Sequence, residues 1–374
     1  MTTEGQQGMS PAAGAPAGVR SIAPYRPGRP IGEVARELGL DPAGIVKLAS
    51  NENPLGMSPK AVAAAQQVLA GGARYPDANG HDLKQALARH YGVDAGWITL
   101  GNGSNDILEL AARALVGPGQ GIIHSRYAFI VYPLVAQAIG AVGIEVPDAD
   151  LGHDLAAMLA AITPETRMVF IANPNNPTGT FIPGDVLLRF LEQVPPQVAV
   201  VLDEAYTEYL APEQRYDALA WVKRFPNLIV SRTFSKAYGL AGLRVGFAVA
   251  QPALTDLMGR VRQPFNVNSA ALAAAEAVLD DADYLTRSYQ INREGRAQLV
   301  QAFEALGLEY VPSSGNFVLV KVGDAAGIND RLLRAGIIVR PVANYGLPEW
   351  LRVSVGLPEE NRAFIDALTK ILGQ

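Results

Sequence analysis

The chain has 374 residues, of which 49% are hydrophobic and 18% charged, with a net charge of −5 and no cysteine. This composition excludes disulfide scaffolds and thiolate metal sites, predicts no metal site, and offers no basic stripe for nucleic acid. The length exceeds the roughly 250–300 residues at which single cores stop growing, so a large and a smaller domain are expected. No apolar run reaches the ~18 residues of a membrane span and no secretory signal is seen, so we expect a cytoplasmic protein without a membrane partner.

The N-terminal part of the chain is rich in Gly, Ala, Pro, Ser and Gln, which predicts a flexible arm over residues 1–21. A short helix over Ile31–Leu38 and a short strand over Ile45–Ala49 follow. Asn51–Gly56 has the composition of a turn. Ser58 then suits a helix N-cap, with proline at the first helical position after it.

Strands and helices alternate over the next two hundred residues. The strand-like segments are continuous β-branched runs, as expected of a parallel sheet covered by helices on both faces. Strands are predicted at Trp97–Leu100, Gly121–His124, Val142–Val146, Met168–Ala172, Val198–Leu202, Leu228–Val230 and Val245–Val249. Helices are predicted at Pro59–Leu69, Leu83–Tyr91, Asn105–Leu115, Ile130–Ile139, Leu155–Ile162, Pro183–Val194 and Leu219–Phe225.

After Val249 the pattern changes to long Ala-rich helices followed by short strands, which indicates a smaller α+β domain. Helices are predicted at Ser269–Leu279, Tyr284–Leu306, Ile328–Ala335 and Glu359–Ile371, and strands at Phe317–Val320, Ile337–Arg340 and Trp350–Val355. The predicted fold is therefore α/β: a three-layer α/β/α large domain with a mostly parallel sheet, plus a smaller α+β domain. We expect a large domain over 51–267 and a small domain over 268–374, to which residues 22–50 contribute.

Polar residues collect just after the carboxyl ends of five predicted strands. In an open α/β sheet this edge is where ligands bind. Five loops that converge on one edge are a stronger indication of a site than any single loop. The loops are Gly101–Asp106, Tyr127–Phe129, Asn173–Gly179, Asp203–Tyr206 and Thr233–Lys236.

Lys236 and Asp203 are the reactive candidates among these residues. Lysine occurs only seven times in the chain. In partly apolar surroundings its amine becomes a usable nucleophile, as needed for a Schiff base with a carbonyl compound. The alternative is a lysine that snorkels at a strand end. Asp203 ends a strongly apolar strand and needs a cationic partner, which is either a cofactor nitrogen or a structural ion pair.

A phosphate is the ligand that suits the loop Gly101–Asp106, because it opens a helix whose free N–H groups favour an anion. Thr233, Ser235 and Arg244 surround the lysine and suit the same anion. The alternatives are a capped turn without a ligand and a surface ion pair of Arg244.

The remaining candidates suit a flat ring and a charged substrate. Asn176 and Tyr206 could donate hydrogen bonds to a phenolate oxygen, and Phe129 could stack on an aromatic ring. Arg340 and Arg352 each end or interrupt an apolar strand, so both need anions. A substrate carboxylate or phosphate is one answer, and buried acidic partners are the other.

Taken together, these stretches resemble the fold-type I pyridoxal-phosphate aminotransferases and, within them, the histidinol-phosphate aminotransferase family. The resemblance runs in the family's order from about residue 22 to the C-terminus. Its motifs are specific for the cofactor and fold and less specific for the substrate. The matching segments are 47–56, 74–77, 101–106, 173–179, 203–206, 232–244, 266–268 and 350–356.

The resemblance implies that Lys236 forms the Schiff base with pyridoxal 5'-phosphate and later shuttles a proton. Asp203 would pair with the pyridine nitrogen, Asn176 and Tyr206 would hold the phenolic oxygen, and Phe129, where many relatives have Tyr, would stack on the ring. The phosphate would lie among Ser104, Asn105, Thr233, Ser235 and Arg244.

The resemblance also implies a homodimer with shared sites, because Tyr75 would reach the phosphate of the neighbouring subunit. Tyr25, Arg340 and Arg352 would face the substrate. The implied reaction is a ping-pong transfer of an amino group from L-histidinol phosphate to 2-oxoglutarate, in histidine biosynthesis.

Three other functions stay open at this point. The arginine pair would also suit an aromatic amino-acid aminotransferase that accepts phenylalanine, tyrosine or prephenate. A decarboxylase of a phosphorylated amino acid uses the same cofactor. A pyridoxal-phosphate-binding transcription regulator would need a DNA-binding domain, for which the residues before Ile22 are too few.

Overall fold

The computed structural model describes residues 11–24 and 28–373. Its largest element is a seven-stranded sheet in the order β2-β10-β9-β8-β7-β3-β4. Strand bounds are β1 Val46–Lys47, β2 Ile98–Gly101, β3 Gly121–Ser125, β4 Val142–Val146, β5 Asp148–Ala149, β6 Gly152–His153, β7 Thr166–Ala172, β8 Ala199–Asp203, β9 Leu228–Thr233, β10 Gly246–Val249, β11 Tyr310–Val311, β12 Phe317–Lys321, β13 Ile337–Ile338, β14 Arg340–Val342 and β15 Leu347–Ser354.

The helices cover both faces of this sheet and one side of a second, smaller sheet. Their bounds are α1 Ala17–Ser21, α2 Ile31–Leu38, α3 Pro59–Leu69, α4 His81–Tyr91, α5 Ser104–Leu115, α6 Val131–Ala138, α7 Leu155–Ala160, α8 Gly184–Leu191, α9 Ala218–Trp221, α10 Pro252–Val261, α11 Ser269–Leu279, α12 Ala282–Ala305, α13 Ala325–Arg334 and α14 Pro358–Leu372.

The large sheet is parallel except at β10, which runs antiparallel to both of its neighbours, β9 and β2. One apolar core fills the face beneath α3, α4, α8 and α11, and another lies beneath α5, α6 and α10. Burial on both faces explains why these strands are continuous apolar runs. The prediction of a three-layer domain with a mostly parallel sheet is confirmed.

The smaller sheet has the order β11-β12-β15-β14, and α12, α13 and α14 contribute to its core. Near the N-terminus, β1 pairs in parallel with β13, in the last quarter of the chain. This pairing supports the proposed assignment of residues 22–50 to the small domain, alongside 268–374, with 51–267 as the large domain.

Several segments differ from the prediction. The short strands β5, β6 and β11 were not predicted, and the predicted strand Ile337–Arg340 is divided into β13 and β14. Residues 17–21 form α1 and lie against α6, with Gly18 directly against the backbone of Gln137, although the composition there predicted a flexible arm. The structure also has α10, where no element was predicted. This helix begins with Pro252 and buries Met258 on one face. Within the described ranges, no helix is long and apolar enough to cross a membrane.

Candidate active site

The polar loops meet at one cavity of about 310 Å³ at the carboxyl edge of the large sheet. The antiparallel strand β10 leaves this edge at Gly246, which is in register with Gly101 of β2 and Thr233 of β9. The cavity is therefore framed by loops that follow β2, β3, β7, β8 and β9. Among its lining residues are Ser104, Asn105, Phe129, Asn176, Asp203, Tyr206, Thr233, Ser235, Lys236, Arg244, Arg340 and Arg352.

Lys236 presents its amine in this cavity. Its Nζ donates a hydrogen bond of 3.2 Å to the Ser50 carbonyl oxygen and lies 5.9 Å from the centre of the Tyr206 ring. Burial, together with the nearby Arg352 guanidinium, lowers the pKa of the amine to about 8. Near neutral pH, an appreciable fraction of the amine is thus neutral and nucleophilic.

Asp203 is held by an aromatic cluster on its buried side. Its Oδ2 accepts a 3.0 Å hydrogen bond from the Tyr132 hydroxyl, whereas its buried Oδ1 has no hydrogen-bond partner in the described structure. Burial raises the pKa of the carboxyl group to about 6, and the Tyr132 bond opposes that rise. The Tyr132 ring also packs edge-on against Phe129, so Tyr132 contacts two residues that line the cavity, Asp203 and Phe129.

The start of α5 and the loop after β9 form a cradle suited to an anion. Gly103 has a φ of +83°, and a side chain there would collide with the Arg244 guanidinium. Arg244 donates a 3.3 Å hydrogen bond to the Ser235 hydroxyl. The Thr233 hydroxyl accepts from the Ser235 backbone N–H at 3.1 Å. Free N–H groups at the first turn of α5 add a positive field at the same place.

Tyr206 is almost fully buried, and its hydroxyl accepts a 3.0 Å hydrogen bond from the Asn51 amide. Burial raises the pKa of this phenol to about 12, which keeps it protonated at neutral pH. A protonated phenol retains a proton to donate to a ligand in the cavity.

Arg352 joins the two domains at the cavity. It extends from β15 and donates hydrogen bonds to Asn176 Oδ1 at 2.5 Å and to the Ala49 carbonyl oxygen at 2.8 Å. Arg340 is directly opposite it in the pairing of β14 with β15. Since the two residues are cross-strand partners and both line the cavity, their guanidinium groups supply positive charge to the same region.

One predicted site residue, Tyr75, is not among the described residues that line the cavity. Tyr75 is 82% exposed and stacks on Phe265, with ring centres 4.6 Å apart. Its predicted role lies with a second subunit, so this position is compatible with that role but does not test it. Tyr25 lies outside the described residues.

Sequence reasoning missed three residues that shape the site. Asn51 and Tyr345 line the cavity, and Tyr132 supports Asp203 from behind. Asn51 lies in the turn-like segment 51–56, which was predicted as a turn and belongs to the family match over 47–56, but no site role was assigned to Asn51. Tyr132 lies in the first turn of α6, three residues after Phe129, and its ring contacts the Phe129 ring, so its closeness to the loop Tyr127–Phe129 could have indicated it.

Sequence and structure relate this chain to known proteins over nearly its whole length. The family model for aminotransferase class I and II matches residues 43–368. Histidinol-phosphate aminotransferase 2 of Ralstonia nicotianae is 66% identical over 95% of this chain and 96% of its own length. Histidinol-phosphate aminotransferase 1 of Cupriavidus pinatubonensis is 63% identical over 100% of both chains.

Among solved structures, histidinol-phosphate aminotransferase from Sinorhizobium meliloti, in complex with pyridoxal-5'-phosphate, superposes with a TM-score of 0.88. It is 32% identical, and the match covers 96% of this chain and 97% of that one. Both the matched length and the identities far exceed what a shared fold alone requires. The chain belongs to the aminotransferase class I and II family and, within it, to the group of proteins named histidinol-phosphate aminotransferases.

Proposed function

We propose that this protein is a pyridoxal-phosphate-dependent aminotransferase that moves the amino group of L-histidinol phosphate to 2-oxoglutarate. The observation that carries the proposal is the pairing, in one cavity, of the Lys236 amine with the buried, unpartnered Oδ1 of Asp203. A buried carboxylate needs a cation, and a pyridinium nitrogen is a suitable one. The family and its named relatives support the same cofactor and reaction.

The residues present fit this cofactor. Arg244, Thr233, Ser235 and the first residues of α5 would hold its phosphate, and the absence of a side chain at Gly103 lets the Arg244 guanidinium lie against the start of α5. Asp203 would hold the ring nitrogen, Phe129 would lie against the ring, and Asn176 and Tyr206 would bind its phenolic oxygen. When bound, pyridoxal phosphate supplies an electron sink for the amino-acid Cα.

The protein's own groups then bind the substrates and move protons. Lys236, with a pKa near 8, can accept and return a proton close to neutral pH. Arg352 would bind the carboxylate of glutamate and of 2-oxoglutarate. Together with Arg340, it would hold the phosphate of L-histidinol phosphate, since one charged pair can serve either anion.

The active unit is proposed to be a homodimer. Tyr75 and Phe265 form an exposed aromatic pair, and Phe265 is itself 40% exposed. An exposed stacked pair is a common feature of interfaces, and Tyr75 has the position from which the family resemblance predicts contact with a neighbouring phosphate. Light scattering of the wild type and of Tyr75→Ser will report whether the dimer forms and depends on this pair. We also propose a cytoplasmic location, which cell fractionation can test.

Steady-state rates with several amino donors test the proposed substrate. With 2-oxoglutarate as acceptor, kcat/KM for L-histidinol phosphate should exceed that for phenylalanine and tyrosine by about tenfold or more. Equal or higher values for an aromatic donor would replace the proposal with an aromatic aminotransferase. Release of carbon dioxide from a phosphorylated amino acid, without glutamate formation, would replace it with a decarboxylase.

A further inference from the structure

Asn51 is buried to 1% exposure at the junction of the two domains, and every polar group of this residue is engaged. Its backbone N–H donates to Ser354 Oγ at 2.8 Å, and its carbonyl oxygen accepts from Asn316 at 2.9 Å. Its side chain contacts Ser354 and Tyr206. Asn51 has a φ of +54°, a left-handed conformation that asparagine and glycine tolerate better than other residues.

The bonds to Ser354 determine which way the Asn51 amide points. Ser354 Oγ accepts from the Asn51 backbone N–H, and it donates its single proton to Asn51 Oδ1 at 2.9 Å. The carbonyl oxygen of the amide therefore faces Ser354, and the amide NH2 group faces Tyr206. The Tyr206 hydroxyl must act as the acceptor in that bond, which leaves its own proton for another partner.

Tyr206 lines the cavity beside Lys236, and burial keeps its phenol protonated. With the oxygen engaged by Asn51, the remaining hydroxyl proton can be donated into the cavity. We propose that Asn51 is a positioning residue, whose amide, oriented by Ser354, directs the Tyr206 proton toward the phenolic oxygen of the bound cofactor. The proposal rests on the function proposed above, and it gives the segment 51–56 a role beyond that of a turn.

The expected effect has a definite sign. When the Tyr206 hydroxyl donates a hydrogen bond to the phenolic oxygen of the bound cofactor, the negative charge on that oxygen is partly neutralised. The oxygen then attracts the proton on the neighbouring Lys236 nitrogen less strongly. When the donor is misdirected, that proton is held more tightly, and the pKa of the visible absorbance change of the loaded protein rises. A neutral hydrogen bond contributes enough to shift this pKa by about half a unit or more.

The test is a double-mutant cycle with Asn51→Gly and Tyr206→Phe, because glycine keeps the positive φ while removing the amide. The measurements are the pKa of the absorbance change, the dissociation constant of pyridoxal phosphate, and urea unfolding of each cofactor-free protein. We expect Asn51→Gly to raise the pKa in the wild-type background and to leave it unchanged in the Tyr206→Phe background. Should the glycine variant fold poorly, Asn51→Asp keeps the shape and the φ but accepts the Tyr206 proton. Asn51→Asp should then raise the pKa of the absorbance change more in the wild-type background than in the Tyr206→Phe background.

Three results would overturn the inference or its basis, and they are distinguishable. If the pKa of the absorbance change were unchanged in Asn51→Gly but raised in Tyr206→Phe, Asn51 would have no positioning role, while the role of Tyr206 would stand. An equal shift in both backgrounds would show that Asn51 acts through the structure and not through Tyr206. If Tyr206→Phe itself left the pKa unchanged, the assignment of Tyr206 to the phenolic oxygen would fall, and with it that part of the proposed function.

Discussion

Tyr132 donates a 3.0 Å hydrogen bond to Oδ2 of Asp203, and both side chains are buried. The Tyr132 ring is stacked on Phe170 with centres 4.5 Å apart and an interplanar angle of 1°. The donor is therefore fixed by packing, and the carboxylate is fixed by the donor. Oδ1, which has no hydrogen-bond partner in the described structure, remains available to a cation.

Replacement of Asp203 by asparagine should keep much of the cofactor binding but lower kcat by about 100-fold or more, since a neutral amide cannot keep a pyridine nitrogen protonated. Asparagine preserves the shape and still accepts from Tyr132, so the unfolding midpoint serves as the control for folding. Single-turnover absorbance measurements would follow the loss directly. Turnover equal to wild type would refute the electronic role of this carboxylate.

The same substitution should change the pH dependence of stability in the cofactor-free protein. Burial raises the pKa of Asp203 from 3.8 to about 6. Because the pKa is higher in the folded state, protonation of Asp203 contributes to the free energy of unfolding. This contribution is fully present below about pH 4 and is lost as the pH rises through 6. The melting temperature of Asp203→Asn, relative to that of the wild type, should therefore rise between pH 4 and pH 7. A constant difference across this range would contradict the raised pKa.

Truncation of Arg352 to alanine should raise KM for both the amino donor and 2-oxoglutarate, by about 10-fold or more each, because a charge-assisted pair is lost in each half-reaction. Arg340→Gln should affect the phosphorylated donor more than the dicarboxylate. Arg189→Gln provides the control, since that arginine is exposed and paired within its own helix. No change in either KM for the Arg352 variant would remove it from the substrate site.

The buried ion pair between Arg232 and Glu204 lies outside the cavity and should matter for stability. The two are joined by hydrogen bonds of 2.9 and 2.8 Å, and Glu204 is fully buried. Arg232→Met would leave an unpaired buried carboxylate, at a cost of about 3–5 kcal/mol in the free energy of unfolding. Arg189→Met breaks an exposed pair and should cost less than about 1 kcal/mol. Equal urea midpoints for the two variants would contradict this difference.

Much of the site was predictable because its residues lie where local sequence determines position. Lys236, Asp203 and Asn176 follow continuous apolar strands, and the carboxyl ends of parallel strands meet at one edge of a sheet. The helix after the loop Gly101–Asp106 was likewise predicted, at Asn105–Leu115, and α5 begins one residue earlier, at Ser104. These inferences needed only the order of strands and loops along the chain.

The rest depends on contacts between distant parts of the chain. Asn51 contacts Tyr206 and Ser354, which are 155 and 303 residues away, so its neighbours in the sequence predicted a turn and a family match but not these contacts. For α1 the error was of another kind, because packing against α6 gives a helix to a Gly- and Pro-rich segment that composition alone assigns to a flexible arm. The role proposed for Tyr75 requires a second subunit, which no pattern within one chain can place.

The absorbance spectrum of the purified protein after reconstitution with pyridoxal phosphate tests the central claim most directly. If Lys236 is the residue that binds the cofactor covalently, the wild type will show a visible band that depends on pH and that amino donors abolish. Lys236→Ala will lack this band while remaining folded. A colourless wild type after reconstitution, or an unchanged band in Lys236→Ala, would contradict the account.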